Sequence, residues 1–264
     1  MIMNFKNKTI IITGAAMGLG LAVAKELAGQ GANLTLVDFN GDKLVKAKEE
    51  LAKEFPQGKY LTVVGDASKE EDVKTYVGET LKAYGRIDGL YNNAGIEGKQ
   101  APMTEYDVDV FRKVIDVNLL GVYFGMRHVL PVMQKQKYGR IVNVASVGGL
   151  RGVKNQVAYV ASKHAVSGMT KNAALEYGVD GITTNAIAPG AILTPMVAEA
   201  FRQVNPADPK KAEAEYAQRN PLRRLGLPEE VAKLVGFLLS DDSSYVNGQT
   251  IAIDGGESNL YGNS

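Results

Sequence analysis

The chain predicts a doubly wound α/β fold, a seven-stranded parallel sheet in a single domain, and three observations carry that prediction. Short β-branched apolar runs alternate with amphipathic segments along the whole length, the order that yields parallel strands joined by helices. Glycine, asparagine and serine clusters fall directly after those runs, where the carboxyl ends of such strands meet a ligand crevice. No Pro/Ser/Gly-rich linker or change of composition divides the 264 residues, so residues 1–264 are read as one unit.

Composition narrows the partners. A hydrophobic content of 45% is ample for a core, and 22% charged residues with a net charge of +1 leave no electrostatic footprint for nucleic acid or an anionic membrane. A small, neutral or weakly charged molecule fits better. With no cysteine and only His128 and His164, no disulfide, thiolate metal site or histidine-built metal site is expected. Met1 to Lys8 lacks an apolar segment before a small-residue cleavage site, and no apolar run approaches the ~20 residues of a membrane span, which predicts a cytoplasmic protein.

Taken in order, Thr9 to Thr13 is the first strand, followed by Gly14-Ala-Ala-Met17-Gly18-Leu19-Gly20 and a helix to Ala28. A strand, a glycine turn and a helix amino terminus let backbone N–H groups and the helix dipole meet a pyrophosphate. The spacing Gly-x-x-x-Gly-x-Gly differs from the commoner Gly-x-Gly-x-x-Gly. Asn33 to Val37 is the second strand and ends in Asp38, roughly 20 residues past the glycines. A carboxylate there accepts from the adenosine ribose hydroxyls and repels a 2′-phosphate, predicting NAD rather than NADP; a turn-forming aspartate is the alternative. Neither Ala15, Ala16, Phe39 nor Asn40 supplies a compensating cation.

Asp42 to Phe55 is a charged amphipathic helix, and Leu61 to Gly65 the third strand. Asp66 follows it, placed either to accept from the adenine amino group or to cap the helix start after Ser68. A helix from Glu70 to Tyr84 leads to a fourth strand, Ile87 to Tyr91, and then to Asn92-Asn93-Ala94-Gly95, small residues that let backbone approach a flat ligand. Phe111 to Leu130 is a long helix with Asn118 inside an apolar stretch, where a buried amide must find partners.

The chemistry concentrates between Ser146 and Lys163. Arg140 to Ala145 is a buried strand that puts Ser146 at its carboxyl end, and Tyr159 and Lys163 are four apart on one helical face. A tyrosine of ordinary pKa near 10 becomes a usable acid or base beside an ammonium, and a serine hydroxyl can hold a carbonyl in line for protonation. With 12 tyrosines and lysine this common in 264 residues, chance alone supplies about one Tyr-x-x-x-Lys, so the pair draws its meaning from its company. The helix continues through Leu175 with small residues, Ala161, Ala165, Gly168, Ala173 and Ala174, that suit close packing on another subunit or on its own sheet; His164 points about 100° away and is read as structural.

Ile182 to Ile187 is the sixth strand, ended by Pro189 and Gly190 with Ile192 and Thr194 beyond. Residues 192–224 interrupt the alternation, polar from Met196 to Arg224 with Pro206, Pro209 and Pro221, and are expected to form a substrate lid; a surface excursion is the alternative. A helix from Pro228 to Leu239 and a strand from Gln249 to Ile253 close the sheet.

Together Thr13, Gly14 to Gly20, Asn92 to Gly95, Asn118, Ser146, Tyr159, Lys163 and Pro189-Gly190, in this order over essentially the whole chain, resemble the short-chain dehydrogenase/reductase family. The resemblance implies a Rossmann-type fold, hydride transfer between NAD(H) and a small carbonyl or secondary alcohol, and a homotetramer. It implies Tyr159 as the acid/base, Lys163 lowering its pKa and holding the nicotinamide ribose, Ser146 orienting the carbonyl and Asn118 supporting a water-linked proton relay. Ile192 and Thr194 would hold the carboxamide, Asp66 and Ala67 lie near adenine, and Asn93, Ala94 and Gly95 form the cofactor floor.

Further stretches, Gly95 to Gln100, Ser146 to Gly152 with Asn155 and Gln156, Ala191 to Val197 and Leu239 to Asn247, resemble family members acting on a substituted cyclohexanedione. A cyclic ketone or diketone is therefore expected, with Glu97, Arg151, Asn155 and Gln156 as substrate contacts. A sugar or polyol dehydrogenase and a 3-oxoacyl-carrier reductase are the alternatives on this scaffold. Asp38 counts against the NADP dependence of the latter. A catalytically silent NAD-binding protein needs the glycine turn and Asp38 but not Ser146, Tyr159 and Lys163 together.

Overall fold

Seven parallel strands order as β3-β2-β1-β4-β5-β6-β7 in the computed structural model, which describes residues 4–259, so part of the Met1 to Lys8 stretch lies outside the described residues. The strands are β1 (Thr9–Thr13), β2 (Asn33–Asp38), β3 (Lys59–Val64), β4 (Gly89–Asn92), β5 (Gly139–Val144), β6 (Ile182–Pro189) and β7 (Thr250–Ile253). The helices are α1 (Gly18–Gly29), α2 (Gly41–Glu54), α3 (Glu70–Tyr84), α4 (Val108–Ile115), α5 (Gly121–Gln136), α6 (Val157–Tyr177), α7 (Pro195–Val204), α8 (Pro209–Arg219) and α9 (Pro228–Leu239).

The central strands β1, β5 and β6 are buried along their whole length, as continuous apolar runs covered on both faces must be. Alternation divides them between two cores. Ile10 and Ile12 of β1 join Val23 and Leu27 of α1 and Val235 of α9, whereas Ile11 joins Tyr76 of α3, Val129 of α5 and Val166 of α6. Local signals set the helix ends: Asn40 and Asp107 cap α2 and α4 through their side chains, Gly85 ends α3 at φ 72°, and Pro195, Pro209 and Pro228 open α7, α8 and α9.

Two differences from the sequence expectations sit in one region. The helix expected over Phe111 to Leu130 is α4 followed by a π turn, Asp116–Leu120, and α5. The wider turn carries Asn118 fully into the interior. Nor does the helix stop before Pro131: it continues to Gln136, because Met133 is buried against the sheet and that packing outweighs one missing backbone N–H. Between α7 and α8 lies a small core of their own, built from Phe201 and Ala212 with Leu225. No helix among the described residues is long and apolar enough to cross a membrane.

Candidate active site

The sheet order reverses between β1 and β4, and a single clip holds the two loops that leave there. Thr13 Oγ1 accepts from Asn93 N (3.0 Å) and Ala94 N (3.1 Å), and Asn93 Nδ2 donates to Thr13 O (2.9 Å) and Gly14 O (3.1 Å). Above this switch point opens a cleft of about 530 Å³. The sequence marks the loop residues; the part of Thr13 in joining them is visible only across 80 residues of chain.

The cleft gathers nearly every residue singled out in the sequence. Gly14, Met17, Gly18 and Leu19 line it with Asp38, Asp66, Ala67, Asn93, Ala94 and Gly95, and Ser146, Tyr159, Lys163, Pro189, Gly190, Ile192 and Thr194 complete the wall. Gly20 and Asn118 do not line it. A Cβ on Gly20 would stand 2.0 Å from Gly14 O, so this glycine is there for close packing of turn against helix. The turn itself uses left-handed backbone at Gly14 (φ 63°) and Gly18 (φ 56°). Met17 precedes α1 without any side-chain cap bond, and the first turn of α1 carries no acidic residue, so its N–H groups are left for an anionic ligand. A dinucleotide pyrophosphate fits this donor set.

Asp38 is buried and held at both oxygens, Oδ2 accepting from Ala16 N (3.1 Å) and Oδ1 from Asn40 N (3.0 Å). Asp66 Oδ1 accepts from Ser68 N (2.9 Å) and Ser68 Oγ (2.7 Å), a local turn before α3 and not a cap of it, since Lys69 is the N-cap and no side chain caps that helix; Asp66 borders the cleft. Lys43 and Lys113 also border the cleft, and the sequence reasoning missed both. Lys113 and Val117 are one helical turn apart on the cleft side, a spacing that was there to be read; Lys43 lies in the first turns of α2, just beyond the four positions searched for a cation.

At the other end of the cleft, Ser146 is the N-cap of a short turn, Val147–Gly149, and its Oγ accepts from Gly148 N at 3.1 Å. That leaves its hydroxyl proton free to donate into the cleft. Lys163 is buried, and its Nζ donates to Val144 O at 2.7 Å and lies 5.5 Å from the Tyr159 ring centre. Burial brings its ammonium down to about 8. Burial also pushes the Tyr159 phenol up; the Ser146 hydroxyl opposes this and the Glu97 carboxylate adds to it. The net direction at Tyr159 is thus opposite to the lowering expected from Lys163, because burial of the phenol outweighs the Ser146 hydrogen bond.

Asn118 clips the loop after β4. Its Oδ1 accepts from Ile96 N (2.8 Å), and Nδ2 donates to Ile96 O (2.8 Å) and Ser162 Oγ (3.2 Å). A Cβ on Gly95 would lie 3.1 Å from Asn118 Oδ1 and 3.6 Å from Lys163 Nζ, so the missing side chain keeps the space between them open.

The four expected substrate contacts do not line the cleft, and the side chains of Glu97, Arg151 and Gln156 are engaged with other residues. Arg151 pairs with buried Glu257, which also accepts from Tyr216 Oη at 2.6 Å, so a carboxylate near the chain's end ties the loop after Ser146 to α8. Across 106 residues no sequence signal points to that pair. Gln156 Nε2 donates to Glu97 Oε1 (2.6 Å), and Asn155 spends its carbonyl on Ala101 N at a φ of 65°. From α7, Gln203 Oε1 accepts from Gln100 N at 3.2 Å. His164 does not line the cleft, and its Nδ1 lies 2.9 Å from Val160 O.

Residues 14–258 match the family model described as enoyl-(acyl carrier protein) reductase. Levodione reductase of Leifsonia aquatica is 49% identical over 257 residues, covering 97% of this chain and 96% of the relative. The chain belongs to the short-chain dehydrogenase/reductase family. A crystal structure of levodione reductase superposes with a TM-score of 0.97 at 48% identity, covering 98% of this chain and 100% of that one. Cyclohexanol dehydrogenase of Acinetobacter sp. (strain SE19) is 40% identical with 95% of each chain covered. A crystal structure of NAD+-bound xylitol dehydrogenase gives a TM-score of 0.90 at 35% identity, covering 94% of this chain and 98% of that one. As a member of this family the protein is an oxidoreductase of alcohol and ketone groups that works with a nicotinamide cofactor.

Proposed function

We propose that the protein interconverts a small, neutral cyclic ketone or diketone and its alcohol, with NAD(H) as cofactor. One observation carries this reading: the division of charge within the cleft. Asp38, Asp66 and Lys43 belong to β2, β3 and the elements that follow them, whereas the rest of the lining sets Ser146, Tyr159 and Lys163 among apolar Ile96, Met196 and Val197, with Lys113 on α4. A sugar asks its site for several directed polar groups. Beside Ser146 and Tyr159, Lys163 Nζ is spent on Val144 O, and Thr194 Oγ1 already donates to Ile192 O and accepts from Val197 N. The likeness to levodione reductase and cyclohexanol dehydrogenase supports the same substrate class.

The nicotinamide supplies the hydride in reduction and accepts it in oxidation. Ser146 donates its free hydroxyl proton to the carbonyl oxygen and holds it beside Tyr159. Tyr159 passes its phenolic proton to that oxygen. Lys163 stabilises the phenolate that results, and Asn118, fixed through Ile96, borders the gap over Gly95 through which water restores the proton. Residues 192–224 act as the lid, tied by Gln203 to the Gly98–Gln100 loop and by Tyr216, through Glu257, to Arg151.

The test is NADH oxidation by purified protein over cyclic diketones, simple ketones and oxidised sugars. Turnover of a cyclic ketone at least tenfold above the sugars supports the reading, and preference for a sugar overturns it.

For the cofactor, the pinned Asp38 carboxylate is expected to accept from the adenosine ribose, and Asp38→Ala to weaken NADH binding by about 1.5 kcal/mol, roughly tenfold, while discrimination against NADPH falls. An unchanged ratio of NADH to NADPH affinity removes Asp38 from that role. Lys43, bordering the same cleft, favours a second reading in which both cofactors are used. NADPH turnover equal to NADH turnover at low salt, and lost at high salt, would support it. The homotetramer belongs to the same proposal; sedimentation at the mass of two chains would replace it.

The pH dependence has a definite sign. Lys163 carries its charge below about 8, and the phenol, raised by burial, keeps its proton there. Ketone reduction, measured as kcat/KM, is therefore expected to hold below pH 8 and decline above it as the ammonium is lost. Alcohol oxidation needs the phenolate and should rise with pH. Parallel profiles in the two directions would remove Tyr159 and Lys163 as the titrating pair.

A further inference from the structure

We propose that the buried side chains of Asn92, Asn143 and Thr170 form a positioning chain that fixes α6 along β5 and thereby places Tyr159 and Lys163. The proposal rests on the reading of those two residues as the acid and its cation. Asn92 and Asn143 are register partners at the carboxyl ends of neighbouring strands β4 and β5. Asn92 Nδ2 donates to Asn143 Oδ1 (3.0 Å) and to Val122 O in α5 (3.2 Å). Asn143 Nδ2 in turn donates to Thr170 Oγ1 (3.0 Å) and approaches Met126 Sδ (3.4 Å), and Thr170 Oγ1 donates to Val166 O (2.8 Å). The chain thus runs from β4 through β5 into α6, with a branch to α5.

All three residues are at most 2% exposed, inside a core of Val129, Met126, Ala145, Val166 and Ala173. Contacts among such side chains are non-directional and set the position of a helix less sharply than directed bonds do. Hydrogen bonds have narrow distance limits, and an unpaired buried amide is costly. Space has been cleared for the chain: a Cβ on Gly125 of α5 would lie 2.5 Å from Asn92 Oδ1.

What the chain positions follows from spacing. Thr170 is seven residues beyond Lys163, two turns along the same face of α6. Asn143 immediately precedes Val144, whose carbonyl oxygen accepts from Lys163 Nζ at 2.7 Å. Consecutive residues of β5 therefore hold α6 at two points, one by the Thr170 hydroxyl and one by the Lys163 ammonium. Releasing the first leaves the second to set the helix position alone, and a misplacement of ~1 Å at a reacting group is enough to cost as much as a hundredfold in rate.

The experiment compares Thr170→Val, which keeps shape and removes the hydroxyl, with Thr170→Ser, which restores it. Thr80→Val is the control for stability alone: Thr80 is equally buried, donates its hydroxyl proton to Tyr76 O and accepts from Thr35 Oγ1, and belongs to α3, away from the site. Ketone reduction with NADH is expected to show kcat lowered tenfold to a hundredfold in Thr170→Val with both KM values within twofold, and the alkaline limb of the profile displaced. Thr170→Ser and Thr80→Val should stay within twofold of the wild type, although Thr80→Val lowers the Tm as Thr170→Val does. Equal kcat and equal pH profiles in Thr170→Val and Thr80→Val would overturn the proposal. Should the wild type turn over no ketone, the proposed function fails separately, and the positioning chain is read from the lysine ammonium resonances in a nitrogen-15 correlation spectrum. The Lys163 midpoint, near 8, is then expected to move upward in Thr170→Val only, and an unmoved midpoint overturns the proposal by itself.

Discussion

Replacing Tyr159 by phenylalanine is expected to lower kcat for ketone reduction by about 10² to 10⁴ while NADH binding changes by less than about threefold. The phenol borders the cleft with Ser146 and the buried Lys163, and the substitution removes one oxygen without changing the ring, which a Cβ added at Gly148 would meet at 3.5 Å. The lost group acts only when a proton moves, so ground-state binding has little reason to change. Stopped-flow turnover set against NADH fluorescence titration separates the two quantities. Equal turnover in variant and wild type would refute the acid assigned here, and a large loss of NADH affinity would recast Tyr159 as a binding residue.

The second large effect is expected at Gly20, far from the reacting end. In Gly20→Ala the new methyl would stand 2.0 Å from Gly14 O and 2.9 Å from Asn93 Nδ2, and the first of these is backbone that cannot step aside. Moving Gly14 O breaks its bond from Asn93 Nδ2, which belongs to the clip joining the β1 and β4 loops at the switch point. We expect a loss of about 3 kcal/mol in stability, at the upper end for an overpacked site, and at least a tenfold loss of NADH affinity. Gly78→Ala is the contrast, because a Cβ at Gly78 in the middle of α3 meets nothing within 4 Å. There the gain in helix propensity should stabilise the protein by about 0.5–1 kcal/mol. Similar melting temperatures for the two variants would mean that the glycine turn is not the crowded cradle described above.

Much of the site was legible because its parts are local. A β-branched run before Gly14 and a helix after Gly20, an asparagine pair after β4, and a tyrosine and lysine four apart are each read from a few neighbouring residues. β1 begins and ends where periodicity put it, and the cleft collects nearly all of the loop residues that follow the strands. Misses arise where a distant element decides. The π turn at Asp116–Leu120 has no period of its own, and the extension of α5 past Pro131 depends on what Met133 packs against. Arg151 looked available to substrate until Glu257, 106 residues away, was seen to hold it. Direction at Tyr159 was also missed, since sequence shows a cation nearby but not how deeply phenol and ammonium are buried.

By itself the sequence determined the class of the fold, the seven-strand count and the glycine turn, and it singled out Ser146, Tyr159, Lys163 and Asp38 as candidates that one cleft collects, because hydrophobic period, backbone freedom and side-chain chemistry are properties of the residue and its near neighbours. Only the tertiary structure decided that β1 and β4 meet at the switch point, that Lys163 Nζ is turned to Val144 O, that Arg151 belongs to Glu257, and that Asn143 grips Thr170. These are pairings across dozens of residues in which burial and a hydrogen-bond partner, not residue type, determine what a side chain does.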